Sequence, residues 1–286
     1  MIRIAPRFRN VGRCRFNSRT GWRRLTAMSP IVAIGALLFA GSLFGQEKKP
    51  GVPEVEAALD HFLCYFAADN EFKGPTDVSL KDQWAEKPKP ATVMSRQLLC
   101  NPAGKEGAVP KRSNSHLVCY DIGVEDFKKD VLVENQLDRK KKQPLSLISE
   151  RYLCLPSGKR ISDEKEDISK LEPPPIPTDL DHFKCYQVKR VTKAEGKYQV
   201  TDQFRDYDVE LIEAVLLCNP VEKFRKDESR GERLHPSAHL VCYLLKSNTQ
   251  TQWVRVANQF EKHVKFQVNG PNLLCLPSTK ETVEKR

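Results

Sequence analysis

Apolar residues two positions apart predict β-strands along much of the chain. In these runs branched or aromatic side chains alternate with polar ones, which is typical of a strand with one buried face. The runs lie at 131–134, 197–204, 209–212, 253–258 and 264–268. One short helix is predicted over 53–60, where Val55, Ala58 and Leu59 share a face. The pattern therefore predicts an all-β fold.

An internal duplication of about 120 residues organises the chain. Four motifs return in the same order, which excludes a chance match. They are LDHFLCY at 59–65 with LDHFKCY at 180–186, LLCNP at 98–102 and 216–220, HLVCY at 116–120 and 239–243, and LCLPS at 153–157 and 274–278.

Each half is itself doubled, so the chain carries four related units, numbered 1 to 4. A His-x-x-Cys-Tyr motif opens the units at His61, His116, His182 and His239. A triplet of Asp or Asn, Gln and an apolar residue, here called the Asx-Gln triplet, follows at 82–84, 135–137, 202–204 and 258–260. A Leu-Cys-x-Pro motif then ends at Pro102, Pro156, Pro220 and Pro277.

About three strands per unit and six per half predict a small β-sandwich or partly closed barrel in each half, with internal pseudo-twofold symmetry. Glycine and proline predict turns at 73–75 and 269–271. The proline of each Leu-Cys-x-Pro motif cannot donate a ladder hydrogen bond, so we expect a strand to end there.

Composition divides the chain into six segments. A charged and then proline-rich stretch contains LEPPPIPT, which belongs in neither a helix interior nor a central strand and predicts a semi-rigid linker. The predicted segments are a signal peptide at 1–45, an N-terminal linker at 46–58, a first β domain at 59–160, the proline-rich linker at 161–178, a second β domain at 179–280 and a tail at 281–286.

The N-terminal segment is typical of a secretory signal peptide. Residues 1–46 contain eight arginines and no acid, and an apolar run at 31–44 precedes small residues. This run is shorter than a membrane-spanning helix of about 20 residues, although an uncleaved anchor, an organellar transit peptide and twin-arginine export are open alternatives. The net charge of +10 falls to +2 beyond this segment, with 39 basic and 37 acidic side chains, so no nucleic-acid partner is expected.

Eight cysteines follow Cys14, two in each unit. An exported chain with an even number of regularly placed cysteines predicts disulfides. The pairing is open between bonds within units and bonds across units, such as Cys100–Cys119 with Cys64–Cys154; bonds within units would staple each unit separately. The predicted disulfide cysteines are Cys64, Cys100, Cys119, Cys154, Cys185, Cys218, Cys242 and Cys275.

Metal binding and catalysis find little support. The histidine and two cysteines of a unit lack a fourth zinc ligand, so disulfides are favoured. Asp82 and Asp202 lie in no acidic cluster, so a turn role for the Asx, with Gln bonding the backbone, is favoured over calcium. The serines lie in no Gly-x-Ser-x-Gly context. No catalytic, cofactor-binding or metal-binding residue is therefore predicted.

The motifs DHFKCY, DQF, LLCNP, HLVCY, NQF and LCLPS resemble those of a bacterial secreted domain family of unknown function, found in tandem or attached to cell-surface proteins. The resemblance covers 59–160 and 178–280 and is closer in the second half. In the first half Trp84 and Leu137 replace phenylalanine, and Met94-Ser95 weakens the third strand. The resemblance implies no site residue.

Together these features predict an exported, non-enzymatic structural or binding module of the cell envelope or extracellular space. Its partner would be a protein or a glycan, and it would contact a membrane only through an uncleaved leader. No cofactor is expected. The alternative is an exported hydrolase with carboxylates in its loops, because acidic residues are spread along the chain.

Overall fold

The computed structural model describes residues 51–68, 72, 76–137, 141–189, 193–224 and 232–283. The predicted signal peptide at 1–45 and the predicted turn at 73–75 lie outside the described residues. Glu47–Arg286 groups into one compact body. Among the described residues, no helix is long and apolar enough to cross a membrane.

Strands dominate the described chain, so the predicted all-β fold is confirmed. Helix α1 (Val52–Ala58) overlaps the helix predicted over 53–60, and a 3-10 turn lies at Ile168–Lys170. The strands are β1 (His61–Ala67), β2 (Thr76–Lys81), β3 (Lys89–Val93), β4 (Arg96–Lys105), β5 (His116–Asp121), β6 (Asp126–Glu134), β7 (Gln143–Ile161), β8 (His182–Val188), β9 (Lys197–Thr201), β10 (Asp206–Phe224), β11 (His239–Lys246), β12 (Gln250–Ala257) and β13 (Val264–Thr282).

Eight of these strands close into a barrel. The His-x-x-Cys-Tyr motifs lie on β1, β5, β8 and β11, and the Leu-Cys-x-Pro motifs lie on β4, β7, β10 and β13. Antiparallel pairing runs from β1 through β4, β5, β7, β8, β10, β11 and β13 and returns to β1. Every unit therefore contributes two neighbouring strands, and the units follow one another around the barrel.

Both halves of the chain share this barrel, which differs from the prediction of separate β domains at 59–160 and 179–280. Strand β7 of the first half pairs with β8 of the second, and β1 pairs with β13. Four barrel strands from one half would leave open edges, whereas eight strands close around an interior that side chains can fill. The linker at 161–178 therefore separates two repeats in sequence but not two compact bodies.

Both faces of the barrel strands are buried, so their motifs read as continuous apolar runs. On β1, Phe62 and Cys64 belong to an interior cluster that contains all eight motif cysteines. Leu63 and Tyr65, at the alternate positions, belong to a second, outer core. Strands with the alternating pattern, such as β2, β6 and β12, lie outside the barrel and contribute buried residues to that outer core.

These outer strands are exchanged between units that lie two places apart in the barrel. Strand β2 of unit 1 pairs with the end of β10 in unit 3, and β9 of unit 3 pairs with the end of β4 in unit 1. Likewise β6 of unit 2 pairs with β13 of unit 4, and β12 of unit 4 pairs with β7 of unit 2. Units 1 and 3, and units 2 and 4, are therefore joined by reciprocal strand contacts.

The motif prolines lie inside strands, so the strand ends predicted there are wrong. Pro102 pairs with Phe62 of β1, while the pairing of β4 with β5 ends at Cys100. The other three units repeat this arrangement. Proline lacks one donor, so a strand tolerates it where the pairing on one side has already ended.

The turn predicted at 269–271 is also wrong, because these residues lie inside β13. Asn269 pairs with Phe66 of β1, next to a register shift on that strand, and Gly270 pairs with Gln250 of β12. Gly270 has a φ of 154°, which glycine adopts without a steric penalty. The Gly-Pro pair therefore marks an irregularity in a continuous strand rather than its end.

Unit 1 departs from the repeat where Met94-Ser95 weakens its strand pattern. Strand β3 ends at Val93 and β4 begins at Arg96, whereas β7, β10 and β13 each run unbroken for 19 residues. The weakened third strand of this unit is therefore confirmed.

The proline-rich linker packs against the body of the protein. A Cβ atom at Gly158 would lie 2.5 Å from the carbonyl oxygen of Pro174 and 2.4 Å from that of Pro175. Arg255 Nη1 donates a hydrogen bond to the carbonyl oxygen of Glu172 at 2.7 Å. Glycine is therefore required at position 158, because the linker backbone approaches β7 so closely.

Candidate functional site

The motif cysteines form four disulfides in the barrel interior, each within one unit. The bonds are Cys64–Cys100, Cys119–Cys154, Cys185–Cys218 and Cys242–Cys275. Neighbouring units also touch through sulfur, because Cys64 Sγ lies 3.7 Å from Cys275 Sγ and Cys154 Sγ lies 3.6 Å from Cys185 Sγ. The space left among them is about 10 Å³, room for at most one water molecule. These cysteines hold the barrel together and leave no room for a ligand.

A buried tyrosine of each unit contacts the Asx-Gln triplet of the unit two places on. These tyrosine–Asx contacts, at 2.6–2.9 Å, are Tyr65 with Asp202, Tyr120 with Asn258, Tyr186 with Asp82 and Tyr243 with Asn135. Burial, and then the neighbouring carboxylate, raises the pKa of Tyr65 and of Tyr186. Both phenols therefore stay protonated and donate their hydrogen bonds to the aspartates.

The Asx side chain also caps the turn in which it lies. Asp82 Oδ1 accepts from the Trp84 backbone N–H at 3.1 Å, and the same contact recurs in the other three triplets. This is the turn role predicted from the sequence. The Gln was expected to bond the backbone, and Gln203 does so, whereas Gln136 and Gln259 contact histidines.

The four motif histidines fall into two kinds. His61 contacts Gln136, and His182 Nε2 lies 3.0 Å from Gln259 Oε1, so each meets the triplet of the next unit. His116 and His239 are instead buried, and His116 Nδ1, His116 Nε2 and His239 Nδ1 have no hydrogen-bond partner among the described residues. Burial holds the pKa of both well below the ordinary value, so both are neutral. No group of three His, Cys, Asp or Glu side chains in the described ranges could hold a metal ion.

A lysine lies five residues after the second cysteine of every unit. Each amine lies over an aromatic ring of another unit, with Nζ 3.6–5.1 Å from the ring centroid: Lys105 over Tyr198, Lys159 over Phe204, Lys223 over Phe260 and Lys280 over Trp84. Sequence reasoning missed these lysines because the motif comparison stopped at the proline. Extending it by three residues would have found them.

A cavity of about 500 Å³ lies where unit 4 meets unit 1. Unit 1 supplies Gln83 and Trp84, and unit 4 supplies His239 and Lys280. Unit 2 adds Glu134 and Lys142, and the rest of the lining is Gly51, Ser237, Thr279, Glu281 and Thr282. The two carboxylates lie on strands β6 and β13 rather than in loops. The volume suits a small molecule or the end of a larger one.

Lys280 is a perturbed basic side chain in the cavity lining. Its Nζ lies 3.6 Å from the centroid of Trp84 and donates to Asn219 Oδ1 at 2.7 Å. Burial holds the pKa of Lys280 well below the ordinary value; Asp82 opposes this shift, and the positive charge of Lys129 adds to it. Burial therefore shifts Lys280 toward the neutral amine.

Lys159 occupies the same repeat position at the junction of units 2 and 3. Burial lowers its pKa to about 7. The residue is only 4% exposed, and its Nζ has no hydrogen-bond partner among the described residues. Lys280, by contrast, is partly exposed and lines the cavity. The two junctions therefore share a perturbed lysine but differ in access.

The family of the chain follows from its repeats. Residues 116–276 match a family model described as a repeat of unknown function, DUF7450, and this match covers more than half of the chain. The chain belongs to the DUF7450 family. The DUF7450 match begins at the first residue of β5 and ends just after Cys275, so it contains units 2 to 4. No curated protein and no solved structure matches the chain.

The motifs resemble those of a family of unknown function, and the DUF7450 match shows a repeat family of unknown function. It leaves unit 1, which carries Trp84 and the interrupted strand, outside the matched residues. The cavity therefore combines residues from inside and outside the DUF7450 match. None of its lining residues was a predicted site residue, although Trp84 was recognised as a departure from the repeat.

Proposed function

We propose that this chain is an exported, non-enzymatic binding module of the extracellular space or cell envelope, and that its ligand enters the cavity between units 1 and 4. The observation that carries this proposal is the difference in free volume between two regions of the same barrel. The disulfide-lined interior has room for at most one water molecule, whereas the junction of units 1 and 4 holds a cavity of about 500 Å³.

Export is supported by the four disulfides. Disulfides persist in oxidising compartments, which are the extracellular space and the envelope. Each bond joins cysteines 33–36 residues apart. Closing loops of that length stabilises a folded chain by about 3–4 kcal/mol per bond, through the entropy of the unfolded state. The barrel thus depends on the oxidised form.

A non-enzymatic role is supported by what the repeated polar groups do. The tyrosines and the Asx residues bond one another and so join units two places apart. One of the two cavity carboxylates, Glu281, is held in an ion pair with Lys142 at 2.7 Å. These groups serve the scaffold, and a chemical step would need others.

A glycan suits the cavity better than a protein does. The lining supplies the hydroxyl groups of Ser237, Thr279 and Thr282, the amide of Gln83 and the carboxylate of Glu134. Such donors and acceptors match sugar hydroxyl groups, each of which both donates and accepts. A protein partner would rather need a contact surface of about 800 Å² on each side.

The proposal is tested by glycan binding with matched tryptophan variants. The mature chain is applied to an array of mono- and oligosaccharides, and bound sugars are measured by calorimetry. Ser237→Trp fills the cavity from an exposed position, whereas Thr92→Trp adds the same side chain at an exposed position on β3, where it enters a different cavity. We expect Ser237→Trp to abolish binding and Thr92→Trp to retain it.

Two results would contradict the proposal. Equal binding by Ser237→Trp and the parent chain would place the ligand elsewhere. Release of new reducing ends from an oligosaccharide, abolished by Glu134→Gln, would make the protein the exported hydrolase of the alternative prediction.

A further inference from the structure

We infer that the cavity between units 1 and 4 captures polyhydroxylated aldehydes, such as the open-chain form of an aldose, as a Schiff base on Lys280. This inference rests on the proposed function and names both the ligand class and the atom that holds the ligand. It makes the cavity a site of reversible covalent binding to the reducing end of a sugar.

The contacts of Lys280 leave its amine available. Nζ donates to a neutral amide oxygen, Asn219 Oδ1, and lies over the ring of Trp84. In the described part of the chain, no carboxylate lies within ion-pair distance of this amine. Lys184 shows the usual alternative, because its Nζ lies 2.6 Å from the carboxylate of Glu150.

The charge state of Lys280 favours nucleophilic attack. Only the neutral amine has the lone pair that attacks a carbonyl carbon, and burial is one of the ways in which proteins produce it near pH 7. Burial and the neighbouring charge of Lys129 both lower the pKa of Lys280. Both effects raise the share of the amine that is in its reactive, neutral form.

The rest of the lining selects a neutral polyol. Lys142 and Glu281 form an ion pair, so their charges largely cancel. Among the described lining residues, Glu134 is then the carboxylate without an ion-pair partner, and it would repel an anionic ligand. The hydroxyl groups of Ser237, Thr279 and Thr282 can bond those of the ligand.

The covalent step needs no further reagent. The lone pair of Nζ forms a bond to the aldehyde carbon, and the π electrons of the carbonyl move to its oxygen, which takes up a proton lost from nitrogen. The carbinolamine then loses water and leaves a carbon–nitrogen double bond. One amine and one aldehyde thus give one imine and one water, and hydrolysis reverses the step.

Access to the cavity, rather than a low pKa alone, distinguishes Lys280 from Lys159. Both lysines lie five residues after a motif cysteine, and burial lowers the pKa of both. Lys159 is 4% exposed, whereas Lys280 lines the cavity. Lys159 is therefore a comparison within the same molecule, with similar electrostatics but no entry for an aldehyde.

The test is reductive trapping of glyceraldehyde on the full chain. Protein and glyceraldehyde are mixed at pH 7 with sodium cyanoborohydride, and the modified lysines are identified by peptide mapping at a series of aldehyde concentrations. Lys170, whose side chain is 83% exposed and whose ion pair with Asp167 is screened by water, reports the reactivity of an ordinary surface lysine. We expect Lys280 to be trapped several-fold faster than Lys170, because a lowered pKa raises the neutral fraction of an amine.

The concentration dependence separates a binding site from simple reactivity. We expect the trapping rate of Lys280 to saturate with glyceraldehyde and that of Lys170 to rise linearly. Thr279→Val, which retains Lys280, should raise the half-saturating concentration several-fold. Lys159 should remain unmodified.

Trapping of Lys280 no faster than Lys170, or a linear rate at Lys280, would overturn the inference. Faster modification of Lys159 than of Lys280 would do the same, because the cavity would then be irrelevant. If Lys280→Met still binds sugars on the array, and Ser237→Trp does not, the inference fails while the proposed function survives. If both variants still unfold cooperatively but lose sugar binding and also lose aldehyde trapping, the results support both the proposed function and the inference.

Discussion

Polar side chains of this protein join its repeats through hydrogen bonds. Tyr65 and Tyr186 donate to the carboxylates of Asp202 and Asp82, and each carboxylate also accepts from an asparagine Nδ2. A buried carboxylate needs such donors because it cannot be solvated. The sequence shows that these residue types repeat, but it does not show that the tyrosine of one unit meets the Asx of another.

The two kinds of tyrosine–Asx contact should differ in strength. Tyr186→Phe removes a donor from the charged Asp82, whereas Tyr243→Phe removes the acceptor of the neutral Asn135 amide and a donor to the neutral amide oxygen of Gln143. We expect Tyr186→Phe to lower the free energy of unfolding by about 1.5–3 kcal/mol and Tyr243→Phe by about 0.5–1.5 kcal/mol. Urea denaturation followed by circular dichroism measures both. Equal losses, or the reverse order, would show that the charge of the partner does not matter.

At the scale of the element, strands could be predicted and their ends could not. The alternating runs gave β6, β9, β12 and parts of β10 and β13, because one buried face imposes a period of two. Proline and glycine were misleading inside β4 and β13, since a strand paired on one side only tolerates them. Which side of a strand is paired depends on its neighbours, and these come from distant parts of the chain.

The proline-rich linker packs against the body of the protein more closely than its composition predicts. Gly158→Ala would place a Cβ atom 2.4–2.5 Å from the backbone carbonyl oxygens of Pro174 and Pro175. We expect a loss of about 1–3 kcal/mol of stability and faster proteolysis between residues 161 and 178. Thermal unfolding and limited trypsin digestion measure these effects. The control is Thr178→Ala, at an exposed linker position. Unchanged stability and digestion in Gly158→Ala would mean that the linker can move away at no cost.

At the scale of the molecule, ring closure makes the two halves one body. Each half contributes four barrel strands, and the outer edge of its first and last barrel strands is paired by a strand of the other half. The strands outside the barrel also pair between the halves. For example, β2 of the first half pairs with β10 of the second. A half expressed alone would expose unpaired strand edges and part of the outer core.

Separate halves should therefore not fold. We expect residues 51–160 and 179–283 each to lack a cooperative thermal transition, while the whole chain unfolds in one transition. The control is a circular permutant that begins at 179 and joins 283 to 51 through a flexible linker of about ten residues. It retains all eight barrel strands and should unfold cooperatively. A monomeric half with its own cooperative transition would instead restore the two-domain interpretation.

The candidate site could not be predicted from the sequence either, because its residues come from opposite ends of the repeat array. Trp84 stood out from the sequence because it replaces a phenylalanine, and Lys280 lies at a fixed distance from Cys275. Neither observation predicts that the two side chains meet across the junction of the first and last units. Their contact exists because β13 returns to pair with β1, which brings the two ends of the repeat array together.

The sequence by itself determined the local structure of this protein: strands with one buried face, four units, and two cysteines per unit in positions suited to disulfides. Those properties depend on neighbours within a few residues, or on repetition, and both can be read along the chain. Only the tertiary structure decided that eight strands close into one barrel, that outer strands are exchanged between units, and that one junction is open while another is sealed. These features depend on pairing between residues more than a hundred positions apart, where the free energy of closing the barrel outweighs the local signals of proline and glycine.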